Sequence, residues 1–248
     1  MVRPGDLLFS QGFGTRRECA AIVANGGLDV EGLGIVDDAE RDLGTGPELW
    51  FRVRGGERWP YRERALIVLN KPAGYECSLK PSHHASVYSL LPVPLRRRGV
   101  QAIGRLDEDT TGVLLFTDDG ALVHRLTSPR HHVAKVYEVG CRHAVDATQV
   151  ERLRAGVLLH DRHESVRATV CEATGERELR LTLTEGKYHQ VKRMIAAVGN
   201  RVETLERSAF GTVRIDGLAP GRWRWLDAGV EFPAAPRAAV ANPRPARP

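Results

Sequence analysis

The chain has 248 residues, 42% of them apolar, enough to bury the core of one medium domain and a small one. No apolar run approaches the ~20 residues of a membrane span, and the N-terminus shows no basic region followed by an apolar stretch, so membrane insertion and export are not expected. The net charge of +5 is uneven: residues 1–50 hold four Lys+Arg against nine Asp+Glu, a balance of −5, and the remainder therefore carries +10. A basic body of this kind suits a polyanion partner, because neutralising phosphates releases condensed counterions. Cys19, Cys77, Cys141 and Cys171 are scattered and form no C-x-x-C pair. That spacing argues against a zinc site or a disulfide framework and for a reducing cytoplasm.

In chain order, residues 1–50 read as a small unit. Thr15 is placed to cap a helix over 16–23, ended by Asn25-Gly26-Gly27. A short strand at Leu28-Asp29-Val30 and a turn at Glu31-Gly32 follow. Residues 51–63, with Arg54-Gly55-Gly56-Glu57-Arg58-Trp59-Pro60, read as a linker. From 64 to 232, strands are expected over 65–70, 112–117, 133–139, 166–171 and 179–183, and helices over 121–126, 147–153 and 190–198. Strands outnumber helices and several are joined by hairpin-length turns, which predicts an α+β domain on a mixed, mostly antiparallel sheet. Residues 233–248 hold five prolines and three arginines and are expected to be disordered.

Chemistry concentrates in the stretch from Gly104 to Thr117. Gly104-Arg105-Leu106-Asp107-Glu108-Asp109-Thr110-Thr111-Gly112 sets acids in a short polar loop beside an arginine, immediately before an apolar strand. Glycines at both ends permit sharp turns, and Thr110 and Thr111 can bond the loop to itself. A carboxylate held in this way suits work as a nucleophile or base. Chemistry alone does not choose Asp107 over Glu108, Asp109, Asp118 or Asp119. Further along, Val191, Met194, Ile195 and Val198 fall at i, i+3, i+4, i+7, one apolar helical face that leaves Lys192 and Arg193 outside it. The pairs His83-His84 and His131-His132 lack a third ligand at metal spacing, so no metal is expected.

Gly-Arg-Leu-Asp followed by Thr-Thr-Gly resembles the active-site motif of pseudouridine synthases, in the branch that modifies ribosomal RNA. Three more segments appear in that family's order: Leu69-Asn70-Lys71-Pro72-Ala73-Gly74-Tyr75, Lys135-Val136-Tyr137, and Glu185-Gly186-Lys187-Tyr188-His189-Gln190-Val191-Lys192-Arg193-Met194. The resemblance extends through Thr127-Ser128-Pro129-Arg130-His131-His132 and Ala196-Ala197-Val198-Gly199-Asn200. It implies the pseudouridine synthase fold, no cofactor, and an essential carboxylate at Asp107 in a dry pocket. It implies that Lys192, in place of the commoner arginine, pairs with that carboxylate. Tyr137 would stack on the flipped uracil, and Arg105 would enter the space the base vacates. Lys71, Lys187, Arg130 and Arg193 are expected as phosphate contacts.

The first unit resembles the S4 RNA-binding fold, with Arg16 and Arg17 as its candidate contacts, although its opening Arg-Pro-Gly-Asp departs from the family's basic start. The substrate so implied is a uridine of 16S ribosomal RNA in a partly assembled small-subunit particle, acted on by a monomer with no membrane association. The alternatives are a large-subunit RNA target, a non-catalytic RNA-binding assembly factor, or a hydrolase with paired carboxylates.

Overall fold

The computed structural model describes residues 1–44, 48–159, 165–227 and 229–234. At the N-terminus, α1 (Pro4–Ser10) and α2 (Arg16–Ala24) precede β1 (Leu28–Val30), β2 (Gly34–Ile35), β3 (Trp50–Val53) and β4 (Trp59–Pro60), paired in the order β2-β1-β3-β4. The expected cap forms: Thr15 Oγ1 accepts from the Glu18 amide while the Glu18 carboxylate accepts from the Thr15 amide. Two orphan donors of α2 are thereby satisfied. The preceding helix α1, not expected from the sequence, has Pro4 in its first turn and buries Leu7 and Leu8.

Residues 51–63 are not a linker. Strands β3 and β4 lie within them, and Trp59 explains why. It is 5% exposed and packs edge-on against Phe13 and Trp225, with Trp223 alongside. An indole burying that much area holds its segment in the core. Arg98 reinforces the junction, bonding Gln11 Oε1 and the Arg62 carbonyl through Nη1 and Asp118 through Nε. The small sheet and the larger body thus share one continuous apolar core.

The body comprises β5 (Leu66–Lys71), β6 (Tyr75–Glu76), β7 (Ala85–Ser86), α3 (Val93–Arg97), β8 (Gln101–Ala102), β9 (Thr111–Thr117), α4 (Gly120–Thr127) and β10 (Lys135–Cys141). There follow α5 (Ala147–Ala155), β11 (Val157–Leu158), β12 (Ser165–Val166), β13 (Val170–Gly175), β14 (Glu178–Leu183), α6 (Gln190–Ala197), β15 (Val202–Phe210), β16 (Val213–Arg214) and β17 (Trp223–Trp225). The main sheet runs β13-β14-β10-β15-β9-β5-β17, antiparallel throughout except for the β9–β15 pair. This is the mixed, mostly antiparallel sheet expected. Strands β5 and β9 carry nearly unbroken apolar runs because both faces are covered: Ile67, Leu69, Leu114 and Phe116 enter one core, Val68, Val113 and Leu115 the other. The expected strand over 166–171 is shifted, with β13 beginning at Val170. Strand β15, at the centre of the sheet, escaped the sequence pattern because Glu203, Glu206 and Arg207 break its apolar alternation. Pro233 and Ala234 lie within the described chain, and Ala234 bridges to Val133. The rest of the expected disordered tail falls outside the described residues.

Four adjacent strands place one residue each in a single row: Lys71 opposite Gly112, Gly112 opposite Arg207, and Arg207 opposite Tyr137. At about 4.8 Å between strands the row spans roughly 15 Å. Gly112, at φ +101, has no room for a side chain, since a Cβ would strike the Arg207 carbonyl. Between Val136 and Tyr137 the pairing slips around Ser208, a bulge that re-aims the side chains at this end of β10 and β15.

Lys71 departs from its expected role. It is fully buried, and its ammonium donates to the carbonyls of Pro72 (3.1 Å), Glu108 (3.0 Å) and Thr110 (2.8 Å). Burial pulls its pKa below the ordinary lysine value, against the pull of neighbouring groups that include Glu108, Asp109 and Asp107. It braces the acidic loop from beneath and offers nothing to a phosphate. Lys71→Met should cost on the order of 3 kcal/mol in urea unfolding while leaving the salt slope of RNA binding unchanged; a slope reduced by about one unit would return Lys71 to the phosphate contacts.

Lys135 is buried on β10, donates to the Val133 carbonyl at 3.0 Å and lies 5.0 Å from the Phe210 ring centroid. Burial, with the Arg207 charge adding to it, pulls its pKa down to about 8. An unfolded lysine titrates near 10.4, so between about pH 8 and 10 the unfolded chain binds more protons than the folded one. The sign follows: over that window the parent protein should gain stability relative to Lys135→Met, read as guanidinium midpoints at pH 7, 8, 9 and 10. A gap that does not change with pH would show the ammonium to be unperturbed.

Candidate active site

The acidic loop leaves β8 through Gly104, whose φ of +75 reverses the chain, and it enters β9 at Thr111. Leu106 is buried, with its amide 3.5 Å from Cys77 Sγ. The Thr110 amide donates to the Asp107 carbonyl (3.1 Å), and the Gly74 amide donates to that of Glu108 (2.9 Å). Thr110 Oγ1 reaches Asp109 Oδ1 at 3.5 Å, a contact within the loop as expected, whereas Thr111 Oγ1 reaches across to the Leu205 carbonyl of β15. With Lys71 below, the loop is held at three carbonyls, and Asp107 is left with its side chain 30% exposed. The Asp107 carboxylate is thus partly covered and partly open to solvent.

Helix α6 brings the cation. Val191, Met194 and Ile195 are buried along its inner face, the stripe expected, and this turns Lys192 toward the loop. Lys192 Nζ lies 3.3 Å from Asp107 Oδ2, as the motif implied, but its shorter bonds, 2.6 and 2.8 Å, go to the two oxygens of Asp109. Burial by itself would depress the Lys192 pKa; the Asp109 hydrogen bond and the charges of Asp107 and Asp109 reverse this and hold it above the ordinary value. Burial likewise works against the Asp109 charge, and the Lys192 bond and charge outweigh it, leaving that carboxyl below its ordinary range. A raised lysine keeps its contribution until pH climbs through its folded pKa, and a lowered aspartate keeps its own until pH falls through the depressed one. The cluster therefore keeps both charges across the neutral range.

Two residues, one beside Asp107 and one beside the end of its loop, were not among the candidates. His189 Nε2 stands 3.4 Å from Asp107 Oδ1. The signal was available: His189 is three residues before Lys192, a spacing that puts both on one side of a helix start. Arg207 is 2% exposed; its Nε donates to the Val113 carbonyl (2.8 Å), and its buried Nη2 has no hydrogen-bond partner among the described residues. Nothing in the local pattern of β15 marks that arginine, and only the strand order puts it between the loop and Tyr137.

Tyr137 is 8% exposed and shares its face of β10 with Lys135 and Val139, as period-two alternation requires. It packs in the same apolar cluster as Leu106, the residue preceding Asp107. Arg105 is exposed on the loop. Lys187 pairs with Glu185 at 2.8 Å, and Arg193 Nη1 donates to the Tyr188 carbonyl at 3.4 Å. Arg130 is exposed in the turn Pro129–His131, between α4 and β10. Arg16 and Arg17 lie on α2 of the N-terminal unit, where Arg16 pairs with Asp6 and covers the Phe9 ring while Arg17 is exposed. Among the described residues, no group of three His, Cys, Asp or Glu side chains is placed to hold a metal, and no helix is long and apolar enough to cross a membrane.

The site thus combines a braced carboxylate, an ammonium shared by two aspartates and a partly exposed imidazole. Residues 65–197 match the family described as RNA pseudouridylate synthase. Ribosomal small subunit pseudouridine synthase A of Escherichia coli (strain K12) is 46% identical over 161 residues, covering 64% of this chain and 69% of that protein. An uncharacterized RNA pseudouridine synthase of Bacillus subtilis (strain 168) is 37% identical over 229 residues, covering 91% and 95%. A crystal structure of a pseudouridylate synthase superposes with a TM-score of 0.63 at 32% identity, covering 92% of this chain and 96% of that one. The chain belongs to the RNA pseudouridylate synthase family, enzymes that isomerise uridine to pseudouridine.

Proposed function

We propose that this enzyme converts one uridine of 16S ribosomal RNA, in a partly assembled small subunit, with Asp107 as the acting carboxylate. The observation that carries the assignment of Asp107 is its contact with Lys192 on a loop clamped by Lys71. The reaction breaks N1–C1′, turns the base, joins C5 to C1′, and exchanges the C5 proton for one taken up at N1, so that the product is an isomer of the substrate. Attack on C1′, addition to C6 and removal of the C2′ proton all call for an ionised carboxylate, and the Lys192 ammonium stands 3.3 Å from Asp107. Because the Asp107 side chain keeps 30% of its exposure, the RNA itself supplies the remaining cover that excludes water. Tyr137 stacks on the extruded uracil, and Arg105 fills the vacated space and offsets part of the flipping cost. The small-subunit target is supported by the 46% identity to the small-subunit enzyme of Escherichia coli. A target in a loop or irregular stem follows from the need to extrude the base, and a partly assembled particle leaves such a site accessible. In this reading the N-terminal unit is an S4-like RNA-binding module, with exposed Arg17 its contact, and the enzyme acts as a monomer in the cytoplasm.

Asp107→Asn keeps the loop's shape and removes the charge, so turnover should fall to background with RNA affinity near normal, and Lys192→Met should lower kcat on the order of 10²-fold. Appreciable turnover by Asp107→Asn removes that residue from the chemistry. Mapping carbodiimide-adduct stops by primer extension on 16S and 23S RNA, free and in assembly intermediates, should reveal one new stop in 16S RNA; a stop only in 23S RNA overturns the choice of subunit.

A further inference from the structure

Tyr188 is 71% exposed. Single exposed rings are ordinary, but three observations set this one apart. The loop that presents it is braced from beneath by Gln190, which is 4% exposed, accepts from the Lys187 amide at 2.9 Å and donates to Glu185 Oε1 at 2.7 Å. Lys187 closes the same loop onto Glu185, and Arg193 holds the Tyr188 carbonyl. Next, His189 adopts φ 47, ψ 34, a left-handed conformation unusual for a residue other than glycine and kept only where the surroundings enforce it. Finally, that turn lays the Tyr188 ring flat on the His189 ring, centroids 3.8 Å apart and planes 20° apart, while His189 Nε2 stands 3.4 Å from Asp107 Oδ1. An exposed aromatic face is thus fixed one ring away from the carboxylate.

We propose that the Tyr188–His189 stack is a platform for an unpaired base adjacent to the target uridine, taken by the outer face of Tyr188. The proposal rests on the reading of Asp107 as the carboxylate that acts on RNA. When a uridine is extruded, its neighbour loses a stacking partner, and a rigid ring beside the site replaces it. Stacking of this kind accepts any base, because every base has a π face. The platform therefore sets the position of the flanking nucleotide rather than its identity. His189 fixes the platform relative to Asp107, so the base that lands on Tyr188 brings the target into register with the carboxylate.

The test measures KM and kcat on an RNA fragment that the parent enzyme modifies, and on two fragments made abasic 5′ or 3′ to the target. Tyr188→Phe should stay within about twofold of the parent. Tyr188→Ala should raise KM about 5- to 150-fold, the range expected for one lost stacking contact, with a much smaller change in kcat. One of the two abasic RNAs should impose the same rise on the parent and no further rise on Tyr188→Ala. An unchanged KM for Tyr188→Ala, or abasic penalties that add in full to that of the variant, would overturn the platform. Dissociation constants for the same RNAs in an Asp107→Asn background repeat the comparison without chemistry. Turnover by Asp107→Asn would sink the functional reading, whereas the platform stands or falls on those constants.

Discussion

One buried ammonium organises this molecule. Lys71 ends a strand sealed on both faces, and it spends its three donors on three backbone carbonyls, two of them in the loop that carries Asp107. A lysine in such surroundings is tolerated only when every donor is satisfied, because an uncompensated buried charge is strongly unfavourable. The same requirement ties the loop to the sheet. Asp107 is thereby set on a rigid edge rather than on a mobile turn, which is what positioning a reactive group against a polymer demands.

The charges above this support are shared rather than paired one to one. Lys192 lies closest to Asp109 and only at 3.3 Å from Asp107, whose other oxygen faces His189. Asp109 anchors the ammonium, so the ion pair does not tie up both oxygens of Asp107. Beneath them, the row Lys71–Gly112–Arg207–Tyr137 joins four strands at the loop's end of the sheet. The parallel pairing of β9 with β15 within the main sheet makes that row possible, and the missing side chain of Gly112 lets the two backbones meet there.

The N-terminal unit is joined to the body through aromatic packing. Trp59 meets Trp223 and Trp225, residues at opposite ends of the sequence, and Arg98 links the end of α1 to Asp118. Close packing at that junction passes constraint between the two sheets and holds the acidic unit at a defined place beside a basic body.

Much was legible in the chain alone. The capping box at Thr15, the apolar stripe of α6, the double-faced strands β5 and β9, and the glycine-flanked acidic loop are local patterns, and local patterns are written in short windows of sequence. The family motifs named Asp107, Tyr137 and Lys192, and the fold places Lys192 against Asp107. The rest depended on residues far apart in the chain. Lys71 reads as a surface cation until the loop closes over it, and Arg54 to Pro60 reads as a linker until Trp59 finds Trp225. β15 looks too polar for a central strand until β10 and β9 pair with it on either side. Arg207 and His189 acquire meaning only from the strand order and the helix start that bring them to the loop. A sequence states which side chains carry charge or area. Burial and partnership, which set what those side chains do, are properties of the packed chain, because desolvation depends on everything that closes around a group.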